Sequence, residues 1–143
     1  MDDDTRTELD HLKISTQRDL HRLWELLMQP LGFRSTSVWV TLIGADDRPE
    51  RFLSEIAESE LLPEADQVHS LFEALQQIIA EEGEGLSVAF LITRPGRDGI
   101  SRFDRELTGL LTNGARTAGV GCHPVHVAND VAIQAVTPDD LAA

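Results

Sequence analysis

Leu9, Leu12, Leu20, Leu23, Trp24, Leu27 and Met28 recur at three- and four-residue intervals, and Pro30 and Gly32 follow. This spacing predicts an amphipathic helix that ends before Pro30. From 37 to 43 the period changes to two, with Val38, Val40 and Leu42 on one face and Trp39, Thr41 and Ile43 on the other. A strand that is apolar on both faces belongs inside a sheet. Ala45-Asp46-Asp47-Arg48-Pro49 is turn chemistry, and a second strand follows over 51–56. Pro63 and Glu64 mark a helix start, and Val68, Leu71, Phe72, Leu75, Ile78 and Ile79 form its apolar face up to Gly83 and Gly85. The run 86–92 is almost continuously apolar, as in a central strand. After the loop 95–99, Phe103, Leu107, Leu110, Leu111, Ala115 and Ala118 define a third helix with Gly119 as its C-cap. Two closing strands, 120–127 and 131–136, are joined by an Asn129-Asp130 turn, and an extended or turning tail begins at Thr137.

The predicted order is therefore α-β-β-α-β-α-β-β. This is an α/β (α+β) class with a single mixed sheet of about five strands flanked by three helices. Nothing divides the chain: 143 residues suit one structural domain, with 1–33 as a helical region packed on or extending from a core of 34–143.

Charge and composition narrow the function. A net charge of −13, with scattered arginines, argues against nucleic acid or an anionic membrane, because phosphate contacts need clustered Lys and Arg. No apolar run approaches the roughly 20 residues of a membrane span. Met1-Asp2-Asp3-Asp4 lacks a signal peptide's basic start, and the lone Cys122 permits no intrachain disulfide, so a cytoplasmic setting is expected. Cys122 lies in an apolar run, where a thiol is usually buried and inert.

Few residues carry chemistry. Ser101-x-x-Asp104 precedes an apolar periodic helix and has the form of a capping box, which accounts for both residues without catalysis. His123 and His126 stand three apart, so on one strand they face opposite sides. His11, His21 and His69 fall in no shared cluster. The loop glycines Gly96 and Gly99 lack the spacing of a phosphate loop. Asp46-Asp47 and Glu81-Glu82 are solvated charges.

Around these residues lies a resemblance. An apolar strand ends in Ile92-Thr93-Arg94-Pro95. Ser101-x-x-Asp104 then opens a helix that contains Leu107-Thr108 and Leu110-Leu111 and leads to Gly119-Val120. His126-Val127 follows, before Asn129-Asp130. Residues 37–136, about 70% of the chain, resemble the JAB/MPN (JAMM) superfamily and within it the RadC-like domain. That family carries His-x-His-Pro, a loop, then Ser-x-x-Asp. Its two His and its Asp hold a catalytic zinc, a Glu from an early strand takes the proton of the zinc-bound water, and the Ser supports the oxyanion.

Carried over, Pro95, Ser101 and Asp104 match, whereas the histidine positions hold Ile92 and Arg94. Ile92 has no lone pair and Arg94 is a permanent cation. The loop is also about one residue shorter than in the family. Glu50 and Glu55 both remain candidates for the Glu. The resemblance thus implies a degenerate site with no catalytic residue, metal or cofactor.

Two places for Arg94 stay open: paired with Asp104 in the vacated metal position, or pointing to solvent. The function expected first is protein–protein interaction by a non-catalytic domain. The alternative is a small anionic ligand held on the 94–100 loop by Arg94 and Arg97, and a metal-dependent peptidase or isopeptidase comes third. A helix running from 5 to 29 would span roughly 37 Å and reach past a small domain. Leu9, Leu12 and Trp24 therefore form the candidate surface for a protein partner or a homodimer, set against packing of the same face on the sheet.

Overall fold

The computed structural model describes residues 3–57 and 65–142. The helix start assigned to Pro63 and Glu64 lies outside them. The elements are α1 (Asp3–His11), α2 (Gln17–Met28), β1 (Ser37–Ile43), β2 (Pro49–Ala57), α3 (Ala65–Glu82), β3 (Ser87–Thr93), α4 (Arg102–Ala118), β4 (Gly121–Cys122), β5 (His126–Ala128), β6 (Ile133–Ala135) and α5 (Pro138–Ala142). The class is mixed α+β with a single mixed sheet, as the hydrophobic periods predict.

The sheet runs β2-β1-β3-β5-β6, with β4 also paired to β3. β1 is antiparallel to both β2 and β3, β3 is parallel to β4 and β5, and β5 and β6 are antiparallel. The β1–β3 register sets Val38 opposite Ile92, Val40 opposite Phe90 and Leu42 opposite Val88. These side chains share one face with Val127, under Phe72 and Leu75 of α3 and Leu107, Leu111 and Ala115 of α4. The opposite face offers Ile43, Ala89, Leu91 and Ala128 to Leu20, Leu23, Trp24 and Met28 of α2 and to Ile14. Both faces of β1 and β3 are thus covered, which is why those strands are apolar on both sides. Gly114 lets α3 and α4 approach closely: a Cβ there would lie 2.6 Å from Cε2 of the Phe72 ring.

Three expectations are corrected. The N-terminal helix is two helices, because Thr16 and Asp19 form a capping box that starts α2 afresh. Between them Ile14 turns into the core, and its N–H donates to the Asp47 carbonyl at 2.7 Å. The predicted strand over 120–127 breaks into β4 and β5 at His123-Pro124-Val125, where Pro124 has no N–H for a ladder. Among the described residues the sheet therefore has six strands, close to the five expected. The tail forms α5, capped by Thr137 and Asp140, so among the described residues two short helices, α1 and α5, add to the three that flank the sheet.

No helix among the described residues is long and apolar enough to cross a membrane.

Candidate functional site

The end of β3 delivers consecutive residues to different places. Ile92 points into the core beneath α4 and is 0% exposed. Thr93 faces the other way, and its hydroxyl accepts from Trp39 Nε1 at 2.9 Å. Arg94 continues the parallel ladder, its N–H donating to the Ala128 carbonyl at 3.0 Å. The chain then leaves the sheet, and residues 95–99 are exposed, with Gly96 in the left-handed region at φ 104°.

The Arg94 guanidinium turns back to the start of α4. Its Nε lies 3.2 and 3.1 Å from the two Asp104 oxygens, and its Nη2 lies 2.9 Å from Oδ2. Nη2 also donates to the carbonyls of Asp98 (3.1 Å) and Gly99. Asp104 is 0% exposed, and the Arg94 side chain is 12% exposed. The same carboxylate accepts from the Ser101 N–H at 2.8 Å, while Ser101 Oγ accepts from the Asp104 N–H at 3.1 Å. The cap and the ion pair are therefore one network. Of the two places open to Arg94, the molecule adopts the pairing.

This arrangement has a definite chemical character. Every donor around the carboxylate is an N–H, and the Ser101 hydroxyl oxygen is engaged in the cap. A guanidinium supplies charge and hydrogen bonds, but it has no coordination position at which to bind water and lower its pKa as a metal does. Among the described residues, no group of three or more His, Cys, Asp or Glu side chains is placed to hold a metal ion.

Neither candidate Glu joins Asp104. Glu55 lies opposite Trp39 and so shares the sheet face covered by α2, where it accepts from Ser37 Oγ at 2.8 Å. Asp104 belongs to α4 on the other face. Glu50 sits beside Gly44, at the end of the sheet where β3 begins, so the length of β3, roughly 20 Å, separates it from Arg94.

The loop is held from below. Asn129, which is buried, donates from Nδ2 to the Asp98 carbonyl at 2.7 Å and accepts the Val131 and Ala132 N–H groups on Oδ1. Asp130 accepts from the N–H groups of Gly96 (2.9 Å) and Phe33 (3.1 Å), which hold its carboxyl below the usual range. The sequence marked Asn129-Asp130 only as a turn. Their role as anchors depends on the parallel pairing of β3 with β5, which local pattern does not reveal. Arg97 stays exposed on the loop.

The proposed interaction face needs correction. Trp24 is 0% exposed, in the core between α2 and the sheet. Leu9 and Leu12 are half-buried against the same core, because the break after α1 folds that helix back instead of letting it run on. Arg22 of α2 grips Glu8 of α1 with both Nε and Nη2.

His123 and His126 have different partners, although the strand expected to carry both is broken between them. His123 Nε2 meets Ser87 Oγ at 2.8 Å. His126 is buried beside His21 of α2, with ring centroids 6.2 Å apart. Pattern reading missed this pair, since His21 interrupts the apolar face and His126 lies on another element. Cys122 is half-buried, and burial pushes its thiol up to about 11.

No protein-family model matches the chain, and no curated protein matches it significantly.

Proposed function

We propose that this chain is a non-catalytic domain of JAB/MPN type, similar to the RadC-like branch, and that it acts by binding another protein. The observation that carries the reading is the Arg94–Asp104 pair. A cation fixed in the chain occupies the place that the resemblance gives to the metal, and it engages the one remaining ligand position with three close N···O contacts. The helix start at Ser101 and the strand before Arg94 support the same reading, because they stand in the family's order and meet in space. The pair also draws Arg94 away from the anionic-ligand reading, since its Nε and Nη2 already serve a carboxylate and two carbonyls. Arg97 alone is a weak anion site.

The surface offered to a partner is the exposed loop 95–99 with its neighbour Val131, which is 47% exposed. The anchors Arg94, Asn129 and Asp130 fix the loop before any partner arrives, which lowers the ordering cost of binding. A cytoplasmic setting belongs to this reading and rests on the single cysteine.

The test has two arms. Elemental analysis of the purified protein should find no stoichiometric zinc; one zinc per chain would defeat the non-catalytic reading. A pull-down from native cytoplasm should recover a partner with the natural chain and lose it with an Arg97→Glu, Val131→Asp variant. Equal recovery by both would move the interface away from this loop.

A further inference from the structure

His21 and His126 form the clearest titratable contact outside the Arg94 site. His126 lies on β5 and is 1% exposed. Its Nδ1 is 3.1 Å from the Pro124 carbonyl, which can only accept, so Nδ1 carries the hydrogen and Nε2 is where a second proton would go. His21 spans the joint between α2 and β6, with Nε2 3.0 Å from the Ile133 carbonyl and Nδ1 3.1 Å from the Glu25 carboxylate. The rings meet edge to face at 61°.

We propose that this contact is an acid-sensitive latch: a proton on His126 releases α2 from the β5–β6 side of the sheet. Among the described residues, the titratable group that meets His126 is His21 of α2, which in turn meets the Glu25 carboxylate. Strands β3 and β6, at its sides, bring none. Glu25 already serves His21, so a proton on His126 gains no counter-ion of its own. Burial, joined by repulsion from His21 and opposed by the Pro124 carbonyl, holds His126 at about 4 against 6.5 in water. Above pH 6.5 the docked and released states both keep His126 neutral. As pH falls from 6.5 to 4 the released state binds the proton and the docked state does not. Through His126 alone, docking therefore weakens about tenfold per pH unit, roughly 300-fold over the window. Release would uncover the apolar face of Ile43, Ala89, Leu91 and Ala128 that α2 covers.

Native-state hydrogen exchange on the whole chain, at several low denaturant concentrations, tests the latch. Between pH 7.5 and 4.5 the protection of α2 amides should fall about 100-fold. They should exchange through an opening less denaturant-dependent than that of α4 amides, and in His126→Phe the pH dependence of α2 should vanish. The same fall in His126→Phe, or equal denaturant dependence for α2 and α4, overturns the proposal. Should His126→Phe not fold, imidazole nitrogen shifts of the natural chain decide. Titration of His126 near 4 together with loss of α2 protection supports the latch, and a midpoint near 6.5 refutes it.

Discussion

Replacing Arg94 by alanine strips the Asp104 carboxylate of its counter-ion while leaving it fully enclosed. The Ser101 N–H is then the only donor left from the network that now surrounds it. Removing one partner of a buried pair costs about 3–5 kcal/mol, because the remaining charge is left enclosed without a counter-ion. On a domain of this size that lowers the melting temperature by roughly 10–15 °C. Asp104→Ala should cost less, about 2–3 kcal/mol including the lost cap, because Arg94 keeps two carbonyl partners and lies close enough to the surface to be hydrated. The double variant Arg94→Ala, Asp104→Ala removes both charges. It should be more stable than the sum of single losses predicts by at least about 2 kcal/mol. Urea unfolding followed by circular dichroism measures all four proteins, with midpoints compared at constant slope. An Arg94→Ala loss below about 1 kcal/mol, or a strictly additive cycle, would show that the pair is decoupled by solvent, and the argument that it stands in for a bound cation would fall with it.

Other perturbations probe separate parts of the fold. Ser101→Ala should cost about 1 kcal/mol in the same assay, since one cap hydrogen bond is lost while Asp104 keeps Arg94. Gly114→Ala should destabilise by about 1–3 kcal/mol in spite of alanine's better helix propensity, because its Cβ would press on the Phe72 ring; a stabilised variant would mean that α3 and α4 can separate freely. Cys122, with its thiol raised to about 11, should react with an aromatic disulfide reagent at pH 8 at least about 100-fold faster in denaturant than in the native protein. Equal rates would place the thiol outside the fold.

What the sequence disclosed divides along physical lines. Strands β1 and β3 were legible because burial on both faces leaves a continuous apolar signature, and the Ser101 cap because it is a contact three residues long. The break before α2 was equally local, in Thr16-x-x-Asp19, but the leucine spacing on either side continues the helical period and masks it. Pro124 announced the interruption between β4 and β5, yet the valines around it suggest one strand. Trp24 was ambiguous for another reason: an amphipathic face shows that something will cover it, not whether the cover is a sheet or a second chain. The register decided that, by leaving Ala89, Leu91 and Ala128 in need of a lid. The anchors Asn129 and Asp130 and the His21–His126 pair join segments far apart in the chain, and no window of sequence contains both partners.

Three helices in this chain begin with the same phrase: Thr16 with Asp19, Ser101 with Asp104, and Thr137 with Asp140. A spacing that arises three times in one small protein carries little information about descent. What singles out the middle copy is that its aspartate is sealed from water and answered by an arginine ten positions earlier in the chain. On the proposed reading, relatives of this protein should be traceable by a two-site covariation, Arg94 with Asp104. Homologues with histidine at 94 should pair it with histidine at 92, and those that lack the acid at 104 should lack the arginine with it.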